Sequence, residues 1–411
     1  MSHQQKTTFR HLMGATLLAV SIGIPSYAAS PLIATDTILG ESGKPIDSVL
    51  DKRLDNLEIK QATNFKRYKK GSVRSFNDHL ISTAEMDAFL EQQMDSLQIP
   101  GLSIAFINDD EIVYHNALGV KNSETQEKVD QATLFDAASM SKTVFSFYAM
   151  KMVDEGLLNL DIPLYTYMEY PDIAYDARYK LITARMVLSH TSGFPNWRFL
   201  DQKGNYNPES KLSIQFEPGT KFQYSGEGYE YLALVIAHLK GVEKNGLQGL
   251  INTVIFEPLG IENTSFVWND YIEKYRADGH LNGKPNKGYS SSAKDPDFKA
   301  SASLQTEAIA FSNFLLALMN TKIVSEKSLQ ELLKIQSISL ATARSKARNY
   351  GLGIVIEASD YGTNYSHGGD NMSNTAFYMF NKEKKVGYVF FTNSENKDRF
   401  NENLMDFLLA K

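Results

Sequence analysis

The sequence predicts an α+β fold: one antiparallel sheet built from both ends of the domain and flanked by helices, with an all-helical region inserted at about residues 150–300. Strand-like segments open the domain at 102–107 and 111–118, and Asn108-Asp109-Asp110 between them favours a tight turn. Strand character returns only near the end, whereas the residues between carry apolar side chains at helical spacing. The closing strands are predicted at 351–357, 365–367, 373–380 and 386–392.

The helices follow from apolar spacing and from end signals. Ser82 and Glu85 have capping-box spacing, and apolar residues then recur at helical period until Pro100-Gly101. A second helix is expected over 139–155, closed by Gly156. Further helices are predicted at 183–189, 226–240, 247–255, 306–320 and 399–409, with a surface excursion at 278–299.

Composition narrows the classes of function. The 411 residues are 43% hydrophobic and 22% charged, which is ordinary for a globular protein with a large core. The net charge of -6 and the lack of a long basic block in the body of the chain argue against a nucleic-acid partner, and the cluster at 60–74 is interpreted as a solvated linker. Because the chain has no cysteine, disulfides, thiolate metal sites and cysteine nucleophiles are excluded.

The N-terminus has the pattern of a secretory signal. A basic start with Lys6 and Arg10 precedes a short apolar run, residues 12–24, and Ser26-Tyr27-Ala28 offers small residues at cleavage-site spacing. An uncleaved anchor is the alternative, although a bilayer span takes about 20 residues. We therefore expect a signal peptide at 1–28, a polar extension at 29–81 and one folded domain at 82–411. The mature protein would be periplasmic or secreted, without a stable membrane span.

Ser139-Met140-Ser141-Lys142 is the most informative stretch for chemistry. At the start of a helix, residues three apart lie on one face, so the Ser139 hydroxyl would face the Lys142 amine. Serine is then a potential nucleophile and lysine its proton acceptor, provided that the lysine is desolvated. Alone, the spacing also fits an ordinary serine and a solvated lysine.

Two further elements carry candidate residues. Tyr224 lies just before a helix, where a phenol beside a lysine could act partly as phenolate or relay protons to a leaving group. Taken alone it could equally be a half-buried structural tyrosine. His367-Gly368-Gly369 follows a predicted strand, and two glycines there allow a ligand to approach the backbone closely. His367 could bind an anionic substrate group or tune the tyrosine.

Together these elements resemble the serine penicillin-recognising hydrolases, most closely the class C β-lactamase-like branch, which includes D,D-carboxypeptidases, D-aminopeptidases and esterases. The chain carries S-x-x-K at Ser139, the tyrosine motif about 85 residues later and the His/Lys-x-Gly strand near the C-terminus. The resemblance continues in Leu188-Ser189-His190-Thr191-Ser192-Gly193 and in Tyr350-Gly351-Leu352-Gly353. It implies the same mostly antiparallel sheet with a helical region, and a site between them.

The resemblance also implies roles for individual residues. Ser139 would be the acylated nucleophile, Lys142 its proton acceptor and Tyr224 the partner base. The backbone N–H groups of Ser139 and Asp370 would form the oxyanion hole, and His367, Gly368 and Gly369 would line the substrate site. A small molecule or a short peptide would be the substrate, and neither a metal nor an organic cofactor is implied.

Two departures from the family pattern bear on the substrate. The second motif usually ends in asparagine, but here it ends in Gly226, and the third motif begins with His367 where β-lactamases proper have lysine. Both favour a small ester, an amide or a D-amino-acid peptide over efficient β-lactam turnover. A true class C-like β-lactamase, a D,D-carboxypeptidase and a catalytically weak module that binds peptidoglycan peptides remain alternatives. The chain lacks the G-x-S-x-G of α/β-hydrolases and the H-E-x-x-H of zinc hydrolases.

Overall fold

The computed structural model describes residues 71–199, 207, 209–286, 296–341 and 346–410, all within one compact unit. The predicted signal peptide and the extension up to residue 70 lie outside the described residues. In chain order the strands are β1 (Ser72–Arg74), β2 (Leu80–Ser82), β3 (Gly101–Asn108), β4 (Glu111–Gly119), β5 (Phe135–Asp136), β6 (His280–Leu281), β7 (Lys284–Pro285), β8 (Gln305–Thr306), β9 (Ser337–Ser339), β10 (Arg348–Tyr350), β11 (Val355–Ser359), β12 (Gly362–Asp370), β13 (Thr375–Asn381) and β14 (Val386–Thr392).

The α-helices of the described residues lie mostly between the two groups of strands. They are α1 (Thr83–Ser96), α2 (Ser141–Asp154), α3 (Ala184–Leu188), α4 (Gly226–Lys240), α5 (Leu247–Ile251), α6 (Asp270–Tyr275), α7 (Ala308–Met319), α8 (Glu326–Leu332) and α9 (Lys397–Leu409). No helix among the described residues is both long and apolar enough to cross a membrane.

One eight-stranded sheet organises these elements, in the order β4-β3-β14-β13-β12-β11-β10-β9. Every neighbouring pair is antiparallel, and β3 from the start of the domain pairs directly with β14 from its end. The predicted α+β fold, with the sheet completed by both ends and a helical region between them, is therefore confirmed.

The sheet is buried on both faces, and alternate residues of each central strand point to different cores. Leu102, Ile104 and Phe106 of β3 pack in the core that α1 and α9 cover. Ala105 and Ile107 of the same strand belong to the larger core, which includes α2, α4 and α7. The inserted helices thus lie on one face of the sheet, where α2 is buried nearly all round.

Several boundaries differ from the predictions. The folded part begins before Ser82, because β1 and β2 form an antiparallel pair and bury Val73, Phe76 and Ile81 against the sheet. The segment predicted as one strand at 351–357 is only partly extended: residues 351–354 form a turn between β10 and β11, in which Gly353 has φ +79°, and residues 355–357 belong to β11. Strand β9 was not predicted at all; it is a short edge strand with partly exposed side chains, so it lacks an apolar pattern.

Candidate active site

The nucleophile turn connects β5 to α2. A single turn of 3₁₀ helix, Ala138–Met140, contains Ser139, so the α-helix begins two residues later than predicted. The backbone of Ala138 is left-handed, with φ +42°, and its N–H donates to Oδ1 of Asp136 at 2.8 Å. A non-glycine residue in this region is strained and is retained only where its surroundings hold it. The turn presents Ser139 half-buried, ahead of the first turn of α2.

Lys142 lies behind the serine, as the i, i+3 spacing predicted. Its side chain is 1% exposed, and its Nζ lies 3.4 Å from Oγ of Ser139. The same Nζ donates to the carbonyl oxygen of Ser301 at 2.8 Å. Burial lowers the pKa of Lys142 to about 7, although the charge of Glu230 opposes this shift. The neutral lysine that a proton acceptor requires is therefore readily populated near pH 7.

Tyr224 closes the site from the residues just before α4. The Lys142 ammonium lies 4.6 Å from the centroid of the Tyr224 ring, and the phenol is hydrogen-bonded to Ser139. Burial raises the pKa of Tyr224 well above its ordinary value, while the hydrogen bond with Ser139 opposes that shift. The phenol thus keeps its proton at neutral pH. This favours proton relay by Tyr224 over the partial phenolate that the sequence also allowed.

Gly226, at the end of the second motif, is the first residue of α4, and the space beside it is filled. A Cβ atom on Gly226 would lie 2.8 Å from the carbonyl oxygen of Asn196 and 3.1 Å from the ring of Trp197. The Gly226 N–H also donates to Asn196, at 3.0 Å to the carbonyl oxygen and 3.0 Å to Oδ1. An asparagine side chain therefore cannot enter this position unless the 196–197 segment moves.

Strand β12 brings the third motif against the nucleophile turn. A Cβ atom on Gly369 would lie 2.1 Å from the carbonyl oxygen of Ala137, so only glycine lets the two backbones approach this closely. Asp370 follows as the last residue of β12, and Asn371 donates to the buried Asp136 carboxylate of the turn. Both backbone segments predicted to form the oxyanion hole thus meet here.

His367 is buried, with 4% of its surface exposed, and both ring nitrogens face protein groups. Its Nε2 lies 2.8 Å from the Tyr350 hydroxyl, and its Nδ1 lies 2.8 Å from the carbonyl oxygen of Gly368. The centroids of the His367 and Tyr224 rings are 6.3 Å apart. The geometry therefore favours an indirect effect of His367 on Tyr224. Direct binding of an anionic substrate group by His367 is disfavoured.

The structure also brings in residues that the sequence reasoning missed. Ser301 supplies the carbonyl that holds Lys142, and the Glu230 carboxylate accepts hydrogen bonds from the Ser301 N–H at 3.2 Å and hydroxyl at 2.8 Å. Burial raises the pKa of Glu230, whereas Lys244, 3.4 Å away, lowers it. Glu230 lies one turn into α4, and that proximity to the second motif was the available signal. No sequence feature pointed to Ser301, which is 159 residues from Lys142 along the chain.

Comparison with known proteins agrees with the geometry. The profile of the Beta-lactamase family matches residues 86–411. Protein flp of Staphylococcus aureus (strain MW2) is 22% identical over 326 residues, covering 76% of this chain but only 63% of flp, less than two thirds of its length. Esterase EstB of Burkholderia gladioli is 25% identical over 205 residues, covering 45% of this chain and 51% of EstB. EstCE1, a hydrolase with promiscuous acyltransferase activity, has the same fold at a TM-score of 0.67 and 18% identity, with 79% of this chain and 97% of EstCE1 covered.

Proposed function

Because this chain belongs to the Beta-lactamase family of serine hydrolases, we propose that it cleaves small carboxylic esters through an acyl-enzyme on Ser139. Amides and D-amino-acid peptides would be slower substrates, and β-lactams weak acylating agents. The buried Lys142 amine, 3.4 Å from Oγ of Ser139 and with a pKa of about 7, is the observation that carries the proposal. A lysine held in this way can accept the serine proton at neutral pH.

In acylation, Oγ of Ser139 attacks the ester carbonyl carbon while its proton passes to neutral Lys142. The negative oxygen that forms is stabilised by the backbone N–H groups of Ser139 and Asp370. The lysine ammonium then returns a proton through the Tyr224 phenol to the leaving alkoxide as the carbon–oxygen bond breaks. In deacylation, water gives a proton to the same pair and adds to the acyl carbon. The pair then returns that proton to Oγ of Ser139 as the acyl carbon–Oγ bond breaks, which releases the carboxylic acid and the free serine.

The two departures from the family pattern support an ester as the substrate. Gly226 offers no side-chain amide to orient a substrate amide, and Asn196 and Trp197 occupy the adjacent space. His367 is engaged with Tyr350 and Gly368, so it is a poor substitute for a lysine that meets a β-lactam carboxylate. An ester depends less on either group, because an alkoxide leaves with less help from protonation than an amine does.

Covalent labelling tests the nucleophile. A fluorophosphonate should add one label to the wild-type protein and none to Ser139→Ala, as measured by intact-protein mass spectrometry. Ser96→Ala is the matched control, because Ser96 is exposed at the end of α1 and should have no effect. A label that persists in Ser139→Ala, or that maps to another serine, would refute the assignment. A wild-type protein that binds peptidoglycan peptides but is never acylated would favour the binding-module alternative.

Steady-state kinetics test the substrate class. We expect kcat/KM for p-nitrophenyl butyrate to exceed that for nitrocefin. Because Gly226 lacks the side-chain amide of an asparagine, the lactam loses one hydrogen bond, which alone accounts for a disadvantage of about ten- to a hundredfold. Nitrocefin turnover equal to or faster than that of the ester would contradict the argument from Gly226 and His367.

Export is proposed from the N-terminal sequence alone. Lys6, Arg10 and the apolar run at 12–24 have the order of a signal peptide, with Ser26-Tyr27-Ala28 at the cleavage site. Mature protein from the native host should therefore begin near Ala29 and be found outside the cytoplasm. N-terminal sequencing that returns Met1 would overturn this proposal.

A further inference from the structure

We propose that His190 and Tyr350 are positioning residues that hold His367 as a neutral imidazole with its hydrogen on Nδ1. The third motif then presents no positive charge, and the enzyme selects substrates without a carboxylate beside the scissile bond. The protonation state of His367 does not depend on which reaction the enzyme catalyses. The selection of substrates rests on the proposed esterase function and defines its substrate class more closely.

Four hydrogen bonds in sequence determine the proton positions. The backbone N–H of Ser225 lies 3.1 Å from Nδ1 of His190, and an amide can only donate. Nδ1 of His190 must therefore accept, which places the hydrogen of a neutral ring on Nε2. That Nε2 lies 3.2 Å from the Tyr350 hydroxyl and donates to it. The Tyr350 proton is then directed to Nε2 of His367, 2.8 Å away.

The chain ends at the backbone of the third motif. Because Nε2 of His367 accepts from Tyr350, its Nδ1 carries the hydrogen and donates to the carbonyl oxygen of Gly368 at 2.8 Å. A cationic His367 would instead donate from both nitrogens. The Tyr350 oxygen would then receive N–H groups from two rings, and its own proton would face neither. The neutral form satisfies every partner in the chain.

The surroundings stabilise this arrangement. His190, Tyr350 and His367 are 0%, 3% and 4% exposed. Burial lowers the pKa of His190 well below its ordinary value and raises that of Tyr350 well above it, so neither carries a charge at neutral pH. The backbone of His190 is left-handed, with φ +59°. The centroid of its ring lies 4.2 Å from the centroid of the Tyr224 ring. This strained residue therefore connects the second motif to the third.

The titratable groups around His367 disfavour a second cation. Lys142 becomes an ammonium during acyl transfer, and a charge on either Lys142 or His367 lowers the pKa of His190. The groups that face His367 from neighbouring elements include His190, Tyr224, Tyr350, Tyr378 and, beyond the Tyr224 ring, Lys142. None of these five side chains is a carboxylic acid, so none of them stabilises an imidazolium. A substrate carboxylate beside the neutral His367 ring would lose its water without gaining an opposite charge from that ring.

Nuclear magnetic resonance tests the protonation state without reference to activity. The chain has eight histidines, so long-range proton–nitrogen correlation spectra of histidine-labelled protein are assignable with single variants. We expect His367 to show a protonated Nδ1 and an unprotonated Nε2 from pH 6 to 8. In Tyr350→Phe, which removes the donor, His367 should become protonated as the pH falls. A protonated Nε2 in the wild-type protein at pH 7 would overturn the proposal, even if the enzyme is a fast esterase.

Kinetics test the selectivity. We expect wild-type kcat/KM to be about tenfold or more higher for p-nitrophenyl butyrate than for the mono-p-nitrophenyl ester of succinic acid, which carries a carboxylate. This ratio should stay constant from pH 8 to 6, because Lys142 titration affects both esters equally. In Tyr350→Phe this ratio of kcat/KM values should fall as the pH decreases towards 6. In His367→Lys it should be lower than in the wild-type protein at every pH.

The matched control is Tyr365→Phe, which removes a hydroxyl from the same strand as His367 and should leave the ratio unchanged. A purely structural role for Tyr350 would slow both esters alike and leave the ratio independent of pH, which would refute the positioning role. If Tyr350→Phe does not fold, the wild-type spectra and the ratio measured for His367→Lys decide the question. An unchanged ratio in His367→Lys would refute the selectivity while leaving the esterase proposal intact.

Discussion

Replacing Lys142 with methionine should stabilise the protein at pH 7 while abolishing turnover. The buried Lys142 has a pKa of about 7, against 10.5 for the ordinary side chain. The unfolded chain therefore binds a proton at neutral pH that the folded protein binds much more weakly. By proton linkage this difference costs about 4 kcal/mol of stability at pH 7. Methionine, similar in length and apolar, removes that cost but leaves the Ser301 carbonyl without its donor, which costs about 1–3 kcal/mol.

The pH dependence separates these two contributions. Because the folded-state pKa is depressed, the stability associated with Lys142 is complete only above the unfolded pKa and is lost as the pH falls towards 7. Between pH 7 and 9.5 the wild-type protein should gain about 3 kcal/mol relative to Lys142→Met. The lost hydrogen bond and the change in packing do not depend on pH, and every other titratable side chain is common to both proteins.

Urea unfolding at the two pH values measures the difference directly. Lys151→Met on the same helix is the matched control, since its Nζ lies 3.9 Å from Glu155 in a partly exposed pair and the side chain is not enclosed. Its effect on the free energy of unfolding should be the same at both pH values. A Lys142→Met advantage that does not change with pH would show that the lysine is not held neutral by burial, and the proposed acylation step would lose its base.

Single substitutions at three further buried or partly buried positions test other parts of the structure. Glu230→Gln should shift the acid limb of kcat/KM to lower pH, because the Glu230 charge raises the pKa of Lys142; a pH–rate profile with an unmoved limb would contradict this. Gly226→Asn should reduce ester hydrolysis without creating nitrocefin turnover, since its Cβ would lie 2.8 Å from Asn196; rapid nitrocefin hydrolysis by the variant would show that the space can open. His115 is buried with no partner at Nε2, and burial lowers its pKa to about 4, so the wild-type protein should lose about 2 kcal/mol more than His115→Gln between pH 7 and 5. Equal losses in the free energy of urea unfolding for the two proteins would argue against burial of a neutral His115 as the cause.

The fold was largely predictable because its signals are local. Strands β3, β4 and β14 were recognised to within a residue at each end, and α4 began and ended at the predicted residues. The alternating and helical patterns of apolar residues show which side of a segment is buried, and they do not depend on which other segment covers it. The pairing of β1 with β2 was missed because three-residue strands carry too few residues to show a pattern.

The candidate site divides along the same line. The sequence alone determined that Ser139 and Lys142 would lie together, because a helical turn sets their distance whatever surrounds it. The tertiary structure decided that the lysine is desolvated, since Ser301, Tyr224 and α4 enclose it from positions far along the chain. It also joined His190 to His367 through Tyr350, which is 160 residues from His190 and 17 residues from His367 along the chain. Protonation depends on burial and on hydrogen-bond partners, and only the folded chain brings those partners together.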